Sequence, residues 1–339
     1  MEKKRFVLSG YFGFKNFGDE AILSVLVHKL QQYGHRITII SSDTKYTVSK
    51  FKHVRSVYTF KISDIIGAIS KSDYLISGGG SLLQDATSIK SLIYYLGIIF
   101  IALILQKKVI IFAQGIGPIN NKFGMFLTRM ILKHCTYISV RDSKSKSLLE
   151  DAGISAELVC DPVFSSEIEI PQKNKTVAVQ LRDCKMMNED FIDRLALKVS
   201  KEFSDYEIGI FPFQKDLDTE VSKNFQKALK LLNPELKTTI YEDITDEEII
   251  EEIAKCEYLI AMRFHAIIIG LLTNTKTLAI NYDIKIEKIA SEFNLPIINL
   301  IGNFKNKFQE LKNTDLEKIT EKVKTKTFNW ENFEKIINN

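Results

Sequence analysis

Short apolar, β-branched runs recur along the chain at 5–9, 36–41, 74–77, 109–113, 137–140 and 157–159, with amphipathic stretches between them. Runs of this length read as strands and the intervening spacing as helices, so the pattern predicts a parallel, doubly wound α/β sheet. At 165–175 the polar run SSEIEIPQKNK, which contains a proline, breaks the rhythm and predicts an interdomain linker. A second alternation follows, with strands at 176–181, 207–211, 238–241, 258–261, 277–280 and 297–300 and helices such as 189–203 and 246–254. The expected architecture is two Rossmann-like domains, over 1–164 and 176–314, facing each other across a cleft. A helical tail over 315–339, carrying Phe328, Trp330 and Phe333, is expected to pack back across the domain junction.

One segment departs from this alternation. Residues 92–105 (LIYYLGIIFIALIL) are fourteen apolar residues in a row, followed by Gln106-Lys107-Lys108. The run is shorter than a usual membrane span and reads as a helix buried between the sheet and its neighbours. A helix lying against a membrane surface is the other reading.

Composition sets the broad class. The chain has 339 residues, 45% hydrophobic and 26% charged, which suits a soluble globular protein of two domains. Its formal charge of +4 hides an asymmetry. Residues 1–164 hold 21 Lys and Arg against 12 Asp and Glu, whereas residues 165–339 hold 25 against 30. A basic first half suits a polyanionic partner, either nucleic acid or an anionic membrane surface, or simply lysines on a solvated surface. No dense Lys/Arg tract interleaved with aromatics appears, so nucleic acid is not an expected partner. Cys135, Cys160, Cys184 and Cys256 are widely spaced and read as reduced core thiols of a cytoplasmic protein. The start leads into a strand-like run without a signal-peptide pattern, so export is not expected.

Candidate chemistry gathers where strands end. The first strand runs into Gly10-Tyr11-Phe12-Gly13-Phe14-Lys15-Asn16-Phe17-Gly18-Asp19-Glu20, three glycines and an acidic pair opening a helix. Glycines there let backbone amides approach a ligand at a helix start. The spacing matches neither a dinucleotide fingerprint nor a P-loop. Asp19 either stabilises the helix start or accepts a hydrogen bond from a substrate hydroxyl. Further loops carry Gly78-Gly79-Gly80 with Asp85, and Gln114-Gly115, as candidate substrate contacts. Arg141, Arg182, Arg263 and Lys285 also fall at strand ends. Open α/β sheets place ligands at that edge, and four gathered cations call for an anion among them, a small one carrying carboxylate and phosphate.

Met262-Arg263-Phe264-His265-Ala266 is the most informative stretch, because it sets a guanidinium and an imidazole two residues apart where a buried strand meets a helix. That pair suits an anionic substrate that gains or loses a proton. A surface ion pair at Arg263 and a helix-start histidine satisfied by backbone is the structural alternative. No His, Asp or Glu cluster has metal-ligand character, so neither an obligatory metal nor a cofactor is expected.

The runs GYFGFKNFGDEAIL, GGGSLLQD, GQGIGP, VRD, VQLR, MRFHAIIIGL and NYDIK, in this order over about residues 6 to 300, resemble the polysaccharide pyruvyl transferase family, in particular its CsaB-type bacterial cell-wall members. The resemblance implies a two-domain fold similar to GT-B glycosyltransferases. It also implies transfer of a pyruvyl group from phosphoenolpyruvate to a sugar as a cyclic ketal. By motif, the family's anion-binding and catalytic positions fall on Arg182, Arg263, His265 and Lys285, with Arg141 and Asp19 in support. The implied acceptor is a sugar of a cell-wall or capsular polymer, lipid-linked on the cytoplasmic face of the membrane. A GT-B glycosyltransferase using a nucleotide sugar, and a non-catalytic polymer-binding protein, are the competing readings.

Overall fold

The computed structural model describes residues 3–86 and 88–338. Met1 and Glu2, where the expected first domain opens, Thr87, and Asn339, where the expected tail ends, lie outside the described residues. The chain divides into two compact units, Met1–Ser165 with Thr327–Asn339, and Ser166–Lys326.

Among the described residues the first unit holds seven parallel strands: β1 (Arg5–Ser9), β2 (Arg36–Ser41), β3 (Val54–Tyr58), β4 (Tyr74–Gly78), β5 (Lys108–Gln114), β6 (Tyr137–Val140) and β7 (Glu157–Leu158). Their helices are α1 (Phe17–Gln32), α2 (Thr44–Lys50), α3 (Ile62–Ser70), α4 (Ile89–Ile104), α5 (Lys122–Leu132) and α6 (Ser143–Asp151). The order β3-β2-β1-β4-β5-β6-β7 reverses direction between β1 and β4. That reversal leaves a crevice outside the carboxyl ends of those two strands.

The second unit repeats the plan with six strands: β8 (Asn174–Gln180), β9 (Glu207–Ile210), β10 (Thr238–Ile240), β11 (Cys256–Ala261), β12 (Lys276–Asn281) and β13 (Ile297–Asn299). Its helices are α7 (Glu189–Glu202), α8 (Lys215–Leu232), α9 (Asp246–Lys255), α10 (Phe264–Leu272), α11 (Ile284–Glu292), α12 (Lys307–Lys312) and α13 (Leu316–Lys324). The order β10-β9-β8-β11-β12-β13 reverses between β8 and β11. Each sheet has its own core, Val7, Leu75, Val109 and Ile111 with Ile65, Leu96 and Ile99 in the first, and Val177, Val179, Ile208 and Ile260 with Phe191, Leu195 and Phe225 in the second.

Three details differ from the sequence reading. The expected strands do not include β3, because Val-Arg-Ser-Val-Tyr is a partly exposed edge strand without an apolar run, and it makes the strand at Tyr74 the fourth in chain order. The expected linker is shorter, since the units divide after Ser165 and β8 already begins at Asn174. The expected tail splits, with α13 in the second unit and a last helix, α14 (Trp330–Asn338), in the first. There Phe328, Trp330 and Phe333 surround Phe112 of β5, with ring centroids 5.1, 5.9 and 5.2 Å away.

The apolar run at 92–105 forms α4. Leu92, Leu96, Ile99 and Ala102 are buried against the sheet, while Ile93, Phe100 and Ile104 are exposed. Among the described residues no helix is long and apolar enough to cross a membrane.

Candidate active site at two strand edges

In the first unit the glycine loops are built by close approach. A Cβ at Gly10 would lie 2.6 Å from the Gly78 carbonyl, so the end of β1 and the end of β4 meet backbone to backbone. Gly80 has φ +60°, and a Cβ there would collide with Asp19 Oδ1. Glycine at this position therefore lets the buried Asp19, in the first turn of α1, sit against the loop. The Gly115 N–H donates to the Gly80 carbonyl at 3.0 Å, which ties the β5 loop to the β4 loop.

One strained residue lies here as well. Ala113 is fully buried at φ +45°, where the pairing of β5 with β6 shifts register. Non-glycine residues adopt that region at a cost of about 1–2 kcal/mol. The bulge aims Gln114 inward, where its Nε2 donates to Ser77 Oγ at 3.0 Å and its buried Oε1 accepts no hydrogen bond.

Arg141 follows β6, and its Nη1 lies 2.6 Å from Asp161 Oδ2 in a nearly buried pair. Asp85 accepts from the Asn121 backbone N–H at 2.6 Å and from the Asn120 side-chain amide at 3.4 Å. Backbone hydrogen bonds from Asn120 and Asn121 hold its carboxyl below the usual range. Asp85 thus ties down the loop that opens α5. Glu20, beside Asp19, accepts from the Gly13 N–H at 2.7 Å and is fully buried, which holds the first glycine loop.

In the second unit the switch point is occupied by Gln180, Arg182 and Arg263. The Gln180 side-chain carbonyl accepts from the Arg263 N–H at 2.7 Å, and its backbone carbonyl accepts from the Met262 N–H at 3.1 Å. These bonds lock the end of β8 to the turn between β11 and α10. Arg263 is buried, and its Nε and Nη2 donate to Asp218 Oδ2 and Oδ1, both at 2.7 Å, while Nη2 reaches Gln214 Oε1 at 3.2 Å. The guanidinium fork that the sequence reading offers to a substrate is filled by a carboxylate from α8.

Arg182 is arranged differently. Its guanidinium lies 5.0 Å from the Tyr282 ring centroid, Nη1 donates to the Tyr282 hydroxyl at 2.7 Å, and the buried Nε has no partner. The half-buried His265 lies in the first turn of α10, edge-on to Phe264. That helix opens at Arg263 without a side-chain cap, whereas Asp283 caps α11 by accepting from the Lys285 N–H at 2.9 Å. The helix dipole at this start favours an anion beside His265.

The second sheet therefore brings Arg182, Arg263 and Tyr282 together around β8, β11 and β12, with His265 and Lys285 in the helices that follow. Among the described residues no group of three or more His, Cys, Asp or Glu could hold a metal ion. Mutual repulsion among the four cations does not call for a bound anion, because Asp218 and Asp161 already supply anions to Arg263 and Arg141. Sequence reasoning missed Asp218 and Gln214, which stand in a different helix from Arg263.

Two parallel sheets, each with a switch point and polar residues beyond it, define a two-domain Rossmann-like protein of the GT-B class. Solved structures agree on the fold. A glycosyltransferase from Rickettsia africae superposes with a TM-score of 0.63 at 16% identity over 100% of both chains. A putative UDP-N-acetylglucosamine 2-epimerase from Listeria monocytogenes gives 0.64 at 11% identity, over 95% of this chain and 91% of that one. The Anabaena protein HepE, solved with UDP and glucose, gives 0.63 at 10% identity over 99% and 100%. The sequence profile of the polysaccharide pyruvyl transferase family matches residues 16–284, and the chain belongs to that family.

Proposed function

We propose that the protein transfers the pyruvyl group of phosphoenolpyruvate to two hydroxyls of a sugar in a cell-wall or capsular polymer precursor, in the manner of the CsaB-type members. The observation that carries this reading is the second switch point. There an arginine with an unsatisfied Nε–H (Arg182) follows β8, and a histidine (His265) opens the helix after the neighbouring strand β11, both within the span matched to the family.

In this reading Arg182, Lys285 and the positive end of the α10 dipole hold the donor's carboxylate and phosphate. Arg263, locked to Asp218, positions the turn that carries His265. His265 delivers a proton to the methylene carbon, C2 becomes oxocarbenium-like, and one sugar hydroxyl adds there, losing its proton to the base so formed. The C2–O bond to phosphate then breaks as the second hydroxyl adds and its proton leaves with the phosphate. The products are one cyclic ketal and one inorganic phosphate.

Asp19, held against Gly80, accepts a hydrogen bond from an acceptor hydroxyl, and Gly78, Gly79, Gln114, Gly115 and Arg141 frame the acceptor. The first unit thus serves the acceptor and the second the donor. The acceptor is lipid-linked at the cytoplasmic face, where the protein is peripheral, and neither cofactor nor nucleic acid takes part.

The test is phosphate release from phosphoenolpyruvate with a lipid-linked amino-sugar acceptor, with mass spectrometry of the product. Phosphate together with one added pyruvyl ketal supports the reading. Thermal protection by a UDP-sugar but not by phosphoenolpyruvate would replace it with glycosyl transfer, the chemistry named for some of the structural neighbours.

A further inference from the structure

Residues 88–140 contain six Lys and Arg and no Asp or Glu. In the structure this run forms α4, β5, α5 and β6, with α4 and α5 packed side by side. Their outward sides carry large apolar groups. Ile93, Phe100 and Ile104 follow one line along α4 and are 43, 45 and 62% exposed, while Phe123 and Phe126 of α5 are 59 and 60% exposed. Exposed apolar residues in adjoining rows, on an element set with cations alone, form the kind of surface that marks an interaction site.

At the carboxyl end of α4, Lys107 and Lys108 join Lys4, Arg36 and Tyr74 around a cavity of about 620 Å³ at the amino-terminal edge of the first sheet. Tyr74 is 2% exposed, yet its hydroxyl has no hydrogen-bond partner. The ammonium groups of Lys4 and Lys108 each lie 5.4 Å from its ring centroid. Asp73 also lines the cavity, but it is held by Arg5 at 2.8 Å. A buried donor without a partner, on a ring flanked by two ammonium groups of which Lys4 also donates to the Ile337 carbonyl, is suited to a phosphate oxygen.

We propose that this face of the first unit docks on an anionic lipid bilayer. The exposed rows of α4 and α5 enter the boundary between headgroups and acyl chains, and a lipid phosphate is held by the lysines around Tyr74. Charge selects this occupant. A second copy of the chain docking by the same face would bring two sets of cations together, whereas an anionic leaflet attracts each of them by about 1 kcal/mol. Nucleic acid would match the cations but not the apolar rows. Docking rests on the peripheral location proposed above but not on the ketal chemistry, because neither the exposed apolar residues of α4 and α5 nor the lysines around Tyr74 belong to the candidate active site.

The experiment is co-sedimentation of the full chain with vesicles of phosphatidylcholine alone, or of phosphatidylcholine and phosphatidylglycerol in equal parts. Binding to the anionic vesicles only, weakening with added salt, is expected. Lys107→Glu with Lys108→Glu, and separately Phe100→Ser with Ile104→Ser, should each weaken it about tenfold or more. Tyr74→Phe, which keeps the ring, should weaken it a few-fold. Thermal unfolding verifies that each variant is folded, and activity toward a soluble acceptor should be unchanged. Absence of binding, equal binding to both vesicle types, or folded variants that bind like the native chain would overturn the proposal. So would a concentration-dependent dimer, seen by light scattering, that Phe100→Ser with Ile104→Ser abolishes.

Discussion

Arg263 and Arg182 have the same side chain at the same kind of strand end, and their surroundings assign them different work. The fork of Arg263 closes on the fully buried Asp218, so removing one partner strands a charge in the core. Asp218→Ala should cost about 3–5 kcal/mol, measured by denaturant unfolding. The apolar pair Arg263→Met with Asp218→Leu should recover most of that stability without restoring activity. Arg182 pairs with a tyrosine and keeps an unsatisfied N–H, so Arg182→Ala should leave stability within about 1 kcal/mol and raise the KM for phosphoenolpyruvate. Unchanged donor binding by calorimetry in that variant would remove Arg182 from the donor site. Gly80→Ala forces a side chain into φ +60° and against Asp19, and should cost about 1–2 kcal/mol together with acceptor affinity. The residue types at these strand ends could be read from the chain because a buried strand running into a helix announces its own turn. Asp218 could not, because it reaches Arg263 from another helix and nothing local marks the pairing.

At the scale of elements, single side chains join pieces far apart in sequence. The Lys173 ammonium, just before β8, donates to the Ala254 and Thr273 carbonyls, both at 2.8 Å, and to Thr275 Oγ1 at 2.7 Å. It closes the carboxyl ends of α9 and α10, where helix dipoles favour a cation. Lys173→Met should cost about 2 kcal/mol and speed hydrogen exchange in both helix ends. At the start of β2, burial lowers the pKa of His35 from 6.5, and the charge on Lys4 adds to the effect. The fold favours neutral His35 while the unfolded chain takes up a proton at its ordinary value. This contribution to stability is therefore complete above about pH 6.5 and is lost as pH falls through the lower folded value. The denaturation midpoint should fall between about pH 7.5 and 5.5, and His35→Gln should flatten that fall. Buried strands were legible because they are continuous apolar runs, whereas β3 escaped notice because an edge strand needs no second buried face.

The whole molecule is two separately cored sheets, with the chain returning to the first after finishing the second. Phe333 is 1% exposed and meets Phe112 edge-on, so Phe333→Ala should lower the stability of the first unit by about 3 kcal/mol. Hydrogen exchange should then rise in β5 before it rises in β8. Strand–helix alternation and the polar residues at strand ends are local or periodic properties, and the amino-acid sequence by itself determined them. Only the tertiary structure decided which carboxylate neutralises which arginine, that Gly80 makes room for Asp19, that the tail divides between the two units, and which side of α4 is left uncovered. Each of these depends on contacts between residues distant along the chain, and such contacts leave no periodic trace in it.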